Sequence, residues 1–367
     1  MNTIAFLVNG GHDSAMGHRA RALAVDLRER HDIRLAYRDG SKLVGSLRFL
    51  RFLSTLRPRV VYVFDMAYAG VMSAWLYKLS FRRRMIVETG DSIYELMRST
   101  GNRGVLGLWL TRRFEKFSLR VADKIVVRGR LHQQQLSEIG IRSEVIQDGV
   151  DTRKFTPLEV DELRRRHGLD GVLTVGLVGS SVWSEKLRMC YGWELVEALH
   201  LLKDAPVKGV IIGDGSGIPR LKARCREYGI EDKVRFFGYV PYEQLPRYLN
   251  LIDVCLSTQT NDLVGQVRTS GKLPLYLAAG RYVLASRVGE AAFVLDDEML
   301  ITYEGVKDEQ YPQKLVERIQ MILRCPEMLE RSAGNVALAK EFFDYSRLAE
   351  RVGRVIDSST KSAEKPS

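Results

Sequence analysis

Residues Gly265 to Ser286, GQVRTSGKLPLYLAAGRYVLAS, carry the reading on which the rest of the chain depends. The first half is a loop of small polar residues and two cations: Arg268, Thr269, Ser270, Gly271 and Lys272. It runs into a short apolar helix that Gly280 can close in the left-handed region, and then into a buried strand. Ser270 is placed to cap the unpaired amides of that helix. A helix N-terminus carries roughly half a positive charge, which Arg268 and Lys272 reinforce, so an anion is favoured there. A phosphate group fits; taken alone, the segment reads equally well as an ordinary capped helix.

On either side the same alternation of apolar strand and helix continues. Leu173–Gly179, Val207–Ile212, Val234–Phe237, Val254–Ser257, Tyr282–Ala285 and Met299–Thr302 read as buried strands of one parallel sheet. An earlier set, Thr3–Asn9, Ile33–Tyr37, Val60–Phe64, Met85–Glu88, Lys124–Val127 and Glu144–Ile146, gives a second such sheet. The fold class is therefore α/β, two doubly wound Rossmann-like domains, over residues 1–150 and 171–340. The stretch Asp148–Asp170, with Pro157 and the charged run LRRRHG, reads as the hinge. A C-terminal helix is expected over 341–357, and Ser358–Ser367 reads as a polar tail unable to order itself.

The chain has 367 residues, 45% apolar and 28% charged, an ordinary globular composition. Its four cysteines, Cys190, Cys225, Cys255 and Cys325, have no short paired spacing, which argues against a zinc site or disulfide framework and for a reducing cytosol. The apolar start Met1–Asn9 lacks a basic region and a cleavage site, so no secretion signal is read. Val60–Leu79 holds Asp65 mid-run and reads as strand plus helix rather than as a membrane span. The net charge of +11 lies wholly in residues 1–150, which hold 25 Lys and Arg against 14 Asp and Glu. That half has either a solvated basic surface or an acidic partner. Lys42–Arg59, KLVGSLRFLRFLSTLRPR, reads equally as a helix lying on an anionic membrane or as a crossover helix of the first sheet. Arg112, Arg113, Lys116 and Arg120 form a second basic stripe, read as a solvated face.

Three strand-to-helix loops are glycine-bearing. Gly10–Gly17 follows the first strand, with spacing unlike a dinucleotide fingerprint, and serves either as a tight turn or as a ligand loop. Gly179–Lys186 opens the second domain, where a lysine can neutralise a leaving diphosphate. Gly213–Gly217, GDGSG, lacks the acidic residue about 20 positions on that a dinucleotide site needs, which disfavours a dehydrogenase. The six histidines show no metal-ligand spacing, and no GxSxG or Walker loop is present, so hydrolase and kinase readings fall away.

Taken together and in this order, the loops resemble those of the GT-B glycosyltransferases of the family 4 kind, retaining enzymes that use nucleotide-sugar donors. GHRARALAVDL from Gly17, IQDGVDTRKFTP from Ile146, LVGS with Lys186, IIGDGSGIPRL, VRFFGYVPYEQLPRYLNLIDVCLS and KLPLYLAAGRYVLAS carry the likeness. The resemblance implies that Lys186 and Asp91 serve catalysis. It implies substrate contacts from Gly11, Gly17, His18, Ser180, Asp214, Gly215, Tyr239, Val240, Gln266, Arg268, Thr269, Ser270, Gly271, Lys272 and Glu290. The family's paired glutamates fall near Val267 and Leu275, where Gln266 substitutes for the first only after a one-residue shift; an arginine is replaced by Ser180, and a frequent histidine by Gly90. The expected partners are a nucleotide-sugar donor, a glycan or lipid-linked acceptor and an anionic membrane surface; nucleic acid is not expected, nor a metal or cofactor. The implied activity is sugar transfer in a cleft between the domains, in the cytoplasm or peripherally at the inner membrane face. A hydrolysing nucleotide-sugar epimerase and a non-catalytic nucleotide-sugar binder are the alternatives.

Overall fold

The structure is a computed structural model and describes residues 2–101 and 103–361. It divides into two compact units. The first gathers the chain up to Gly149, Val267–Thr269 and the chain from Phe343; the second holds Val150–Gln266 and Ser270–Phe342.

In the first unit β1 (Asn2–Val8), β2 (His31–Tyr37), β3 (Val60–Phe64), β4 (Arg84–Thr89), β5 (Lys124–Val127) and β6 (Glu144–Val145) form one parallel sheet in the order β2-β1-β3-β4-β5-β6. The intervening helices are α1 (Ala15–Leu27), α2 (Lys42–Leu56), α3 (Tyr68–Phe81), α4 (Ile93–Thr100), α5 (Val105–Val121) and α6 (Arg130–Glu138). Helices cover both faces, so β3 is buried along its whole length and must be apolar throughout rather than alternating. Phe6, Tyr62 and Phe64 pack together in tilted and edge-on ring contacts at the centre. Each such buried side chain contributes about 1.5–3 kcal/mol. Val60–Leu79 resolves into β3 and most of α3.

The second unit repeats the plan with β7 (Leu173–Val178), β8 (Val207–Ile212), β9 (Val234–Gly238), β10 (Val254–Ser257), β11 (Tyr282–Ser286) and β12 (Leu300–Ile301), all parallel, in the order β12-β11-β10-β7-β8-β9. Its helices are α7 (Asp161–Arg166), α8 (Trp193–Leu201), α9 (Ile218–Tyr228), α10 (Leu245–Leu249), α11 (Leu263–Gln266), α12 (Lys272–Ala278), α13 (Ala291–Val294), α14 (Tyr311–Arg324) and α15 (Asn335–Leu338). Strand order reverses between β1 and β3 in the first sheet and between β7 and β10 in the second. Open parallel sheets bind ligands outside the carboxyl ends of their strands at such points.

Two stretches differ from the sequence reading. From Val150 the supposed hinge is packed into the second unit. Phe155 is fully buried, Asn250 bonds Thr156 and Leu158 of the linker, and Arg164 pairs with Asp253. The tail expected to lack order from Ser358 is helical up to Lys361, as part of α16 (Tyr345–Lys361). Leu348, Ala349, Val352, Val355 and Ile356 form one apolar stripe buried with α1, and the hydroxyls of Ser358 and Ser359 bond back to the carbonyl of Val355. Residues 362–367 of that tail lie outside the described residues.

Candidate functional site

The loops after β7, β8 and β9 are laced together through their backbones. Ser181 N donates to Asp214 O at 2.9 Å, Gly217 N to Ser181 O at 2.8 Å, and Gly213 N to Gly238 O at 2.8 Å. Gly213 is required at this crossing: its φ is +130°, and a Cβ would lie 2.0 Å from the carbonyl oxygen of Gly179. The glycines of GDGSG thus let two loops touch, which is why the run resembles a dinucleotide fingerprint without completing one.

Lacing these loops leaves a cavity of about 560 Å³ at the carboxyl edge of β7–β9. Ser180, Asp214, Gly215, Tyr239 and Val240, all expected from the sequence, line it together with Gly179 and Gly213. Tyr239 is exposed at 76%, an aromatic ring offered to whatever enters. Asp214 turns its Oδ1 to the amide of Gly215 at 2.7 Å, so its side chain braces the loop.

The cation beside this cavity is Lys272. Its Nζ lies 4.2 Å from the ring centroid of Tyr191, and its stem fills the space next to Gly179, with Cε 2.5 Å from where a Cβ would stand. Neither lysine is among the residues lining the cavity, but Lys186, the one expected there, is exposed, whereas Lys272 packs on Gly179 of its wall. The reason is local: Ser184 and Met189 close an antiparallel bridge, and Arg188 at φ +53° turns residues 185–188 outward.

The segment Arg268–Lys272, read from the sequence as one phosphate-facing loop, is divided. Val267–Thr269 packs in the first unit, where Arg268 pairs with Asp91 and the Thr269 hydroxyl donates to the carbonyl of Arg128. Ser270, Gly271 and Lys272 belong to the second unit. Gly271, not Ser270, is the N-cap of α12, and no side chain caps it; Ser270 contributes its carbonyl to Leu273 N at 3.0 Å. Gly280 does end the helix, at φ +63°. Gln266 bonds Asn261 within its own loop at 2.9 Å, and Glu290 is buried at the start of α13.

The first unit builds a separate polar cluster at the carboxyl edge of its sheet. Arg19 of α1 and Glu88 of β4 are both fully buried and meet at 2.9 Å. Tyr62 donates to Glu88 at 2.7 Å, and Arg128, directly after β5, reaches Glu88 at 3.2 Å while pairing with Asp65. Burial pushes the Glu88 carboxyl up, but Arg19, Arg128 and the Tyr62 hydroxyl together hold it below the ordinary carboxylate value. Gly90 is glycine because the Arg128 guanidinium occupies the place of its side chain, 2.5 Å from an added Cβ. Burial pushes His132 of α6 down to about 4, so its ring is neutral. Gly11, Gly17 and His18 lie at the β1–α1 junction of this unit, Gly17 buried and His18 bonded to Arg21 at 3.0 Å.

The sequence assigned no site role to Arg19, Arg128 or Asp65. A usable signal was present: Glu88 stands inside a buried strand and demands a cation, and Arg128 directly follows the apolar run KIVV.

A second cavity in the second unit, about 380 Å³, lies against α8 and the start of α14. Its buried Glu194 accepts a hydrogen bond from Tyr303 at 3.3 Å and, desolvated by burial, has its carboxyl pushed up to about 7.

Residues 173–324 match the sequence family described as glycosyl transferases group 1. The chain is 28% identical over 241 residues to a 2-deoxystreptamine glucosyltransferase of Streptomyces kanamyceticus, an alignment covering 62% of this chain and 59% of that protein. The chain thus spans less than two thirds of that relative's length. Among solved structures, Anabaena HepE in complex with UDP superposes with a TM-score of 0.75 at 15% identity over 98% of this chain and 100% of that one. Sucrose-phosphate synthase from Thermosynechococcus elongatus gives 0.76 at 15% identity, over 99% and 100%. By its fold this is a GT-B protein, two Rossmann-like units of which the second matches the group 1 glycosyltransferases that the chain resembles.

Proposed function

We propose that the protein is a retaining glycosyltransferase that moves a sugar from a nucleotide-sugar donor to a glycan or lipid-linked acceptor. The observation that carries this reading is the cavity at the carboxyl edge of β7–β9, walled by the loops after these strands and by Tyr239, with the Lys272 ammonium against Gly179. A nucleotide offers that cavity an aromatic face for Tyr239 and a diphosphate for the cation. When the sugar–phosphate bond breaks, negative charge grows on the departing diphosphate. A fixed ammonium stabilises that charge more in the transition state than in the ground state. Lys186 acts as a second cation in this scheme, and Asp91 serves the acceptor side from the first unit. No described helix is long and apolar enough to cross a membrane; a cytoplasmic reaction, peripheral to the inner membrane face, is part of the proposal.

The test is incubation with a panel of nucleotide sugars, UDP-glucose and 2-deoxystreptamine being the first donor and acceptor to try because similar proteins bear those names. Mass spectrometry reads the products. Transfer to an acceptor supports the reading. A free sugar epimer with nucleotide diphosphate makes the protein an epimerase, and binding without turnover makes it a non-catalytic binder.

A further inference from the structure

Among the described residues, ten of the twenty large apolar side chains that stand exposed fall between Leu43 and Leu110, on α2, α3 and α5 of the first unit. These three helices form one layer on one face of the sheet and run parallel. Lys42 sits over the ring of Tyr68, Tyr68 stacks on Phe114 at 3.8 Å, Trp75 meets Phe117, and Lys78 bonds the carbonyl of Val121. The start of α3 is therefore level with Phe114, nine residues into α5. At 1.5 Å per residue, the first two turns of α5 overhang the layer by roughly 13 Å at the carboxyl edge of the sheet.

That overhang is apolar and uncovered. Val105 is 87% exposed, Leu106 70%, Trp109 54% and Leu110 48%. Exposed cations follow immediately: Arg112, Arg113 and Lys116, with Arg113 5.5 Å over the Trp109 ring. The one carboxylate of α5, Glu115, is turned inward and accepts from the amide of Ile93. On the other side of α3, α2 buries Gly45, Phe49 and Leu53 as a crossover helix must, yet leaves Leu43, Val44 and Leu47 outward among Lys42 and Arg48.

We propose that this face, centred on the first two turns of α5 and flanked by the start of α2, docks on an anionic lipid bilayer. The apolar side chains enter the interface and the arginines hold headgroup phosphates. Exposed apolar side chains on the first turns of α5 and α2, bordered by cations and with no outward carboxylate on either helix, match the apolar-over-anionic profile of such a surface. Both arginine and tryptophan are suited to that boundary, each with an apolar body and a polar end. The docking deepens the peripheral location proposed above and rests on it, but it is measured without donor or acceptor, so its failure leaves sugar transfer itself standing.

The experiment is cosedimentation of the full chain with phosphatidylcholine vesicles and with vesicles containing roughly a third phosphatidylglycerol, at low and high salt. Binding is expected to the anionic vesicles only, and to weaken at least about fivefold in high salt. L106E/W109E is expected to lower it by about tenfold or more, and R112E/R113E likewise, with thermal unfolding unchanged because all four side chains face solvent. Equal sedimentation with and without vesicles at low salt overturns the proposal. So does a concentration-dependent dimer, seen by light scattering, that L106E/W109E dissolves, since the face then belongs to a second copy.

Discussion

Arg19 Nε donates to Glu88 Oε1 at 2.9 Å across 69 residues of chain, joining α1 to the carboxyl end of β4 in a place where neither side chain meets water. The remaining donors of Arg19 go to the carbonyls of Gln147 and Ile146, and the other oxygen of Glu88 takes the Tyr62 hydroxyl. Every strong partner is thus satisfied, and the pair fixes how α1, β3, β4 and the segment after β6 meet. Removing the Glu88 charge leaves Arg19 buried with only Asp148, 3.8 Å away, to offset it. Glu88→Gln is expected to destabilise the first unit by about 3–5 kcal/mol, measured by hydrogen exchange of the β4 amides. A loss below about 1 kcal/mol would show the pair to be dispensable.

Lys272 makes a sharper mechanistic claim. Lys272→Ala is expected to lower turnover of the nucleotide sugar by about 100-fold, the scale for one lost charge-stabilising donor, while shifting the melting temperature little. Lys186→Ala, on an exposed turn, is expected to cost less than Lys272→Ala. Steady-state kinetics on both variants decides the order; the reverse ranking returns the principal role to Lys186.

Gly213→Ala should cost about 2 kcal/mol or more, because alanine is strained at positive φ and its methyl would collide with the backbone of Gly179. The laced loops would part and UDP binding, read by calorimetry, should fall. Gly271→Ala is the control: its φ is −59° and an added Cβ meets nothing within 4 Å. Equal affinity in both variants would remove the lacing from the donor site.

Glu194 gives a pH signature. Its carboxyl is raised from 4.5 in the reference state to about 7 by burial, so the folded protein holds a proton that the unfolded chain releases. Its contribution is therefore full below about pH 4.5 and is lost as pH rises to about 7, a fall of order 3 kcal/mol. Glu194→Gln keeps an acceptor for Tyr303 and should flatten that part of the stability curve. Urea unfolding at pH 5 and pH 8 measures it, and an unchanged slope in the variant would assign the titration elsewhere.

The positions of nearly all strands were legible because a parallel strand covered on both faces has to be apolar along its length, and runs such as VVYVF and VCLS advertise that without reference to anything distant. Ser180, Asp214, Gly215, Tyr239 and Val240 were named through the family resemblance, and they line the cavity because each lies within three residues of a strand end, where the chain emerges at the carboxyl edge. Arg128 was only half legible: Glu88 inside a buried strand calls for a cation, but nothing local says that Arg128, 40 residues on, supplies it or that Asp65 joins them.

The amino-acid sequence by itself determined the two α/β units and the strand ends at which a ligand can be met, because local apolar periodicity and glycine placement suffice for both. Only the tertiary structure decided which charges meet. It sent Arg268 to Asp91, turned Lys186 into solvent and set Lys272 beside Gly179. An ammonium on a flexible stem goes where folding leaves room and a partner, and that room exists only once distant loops have closed around it.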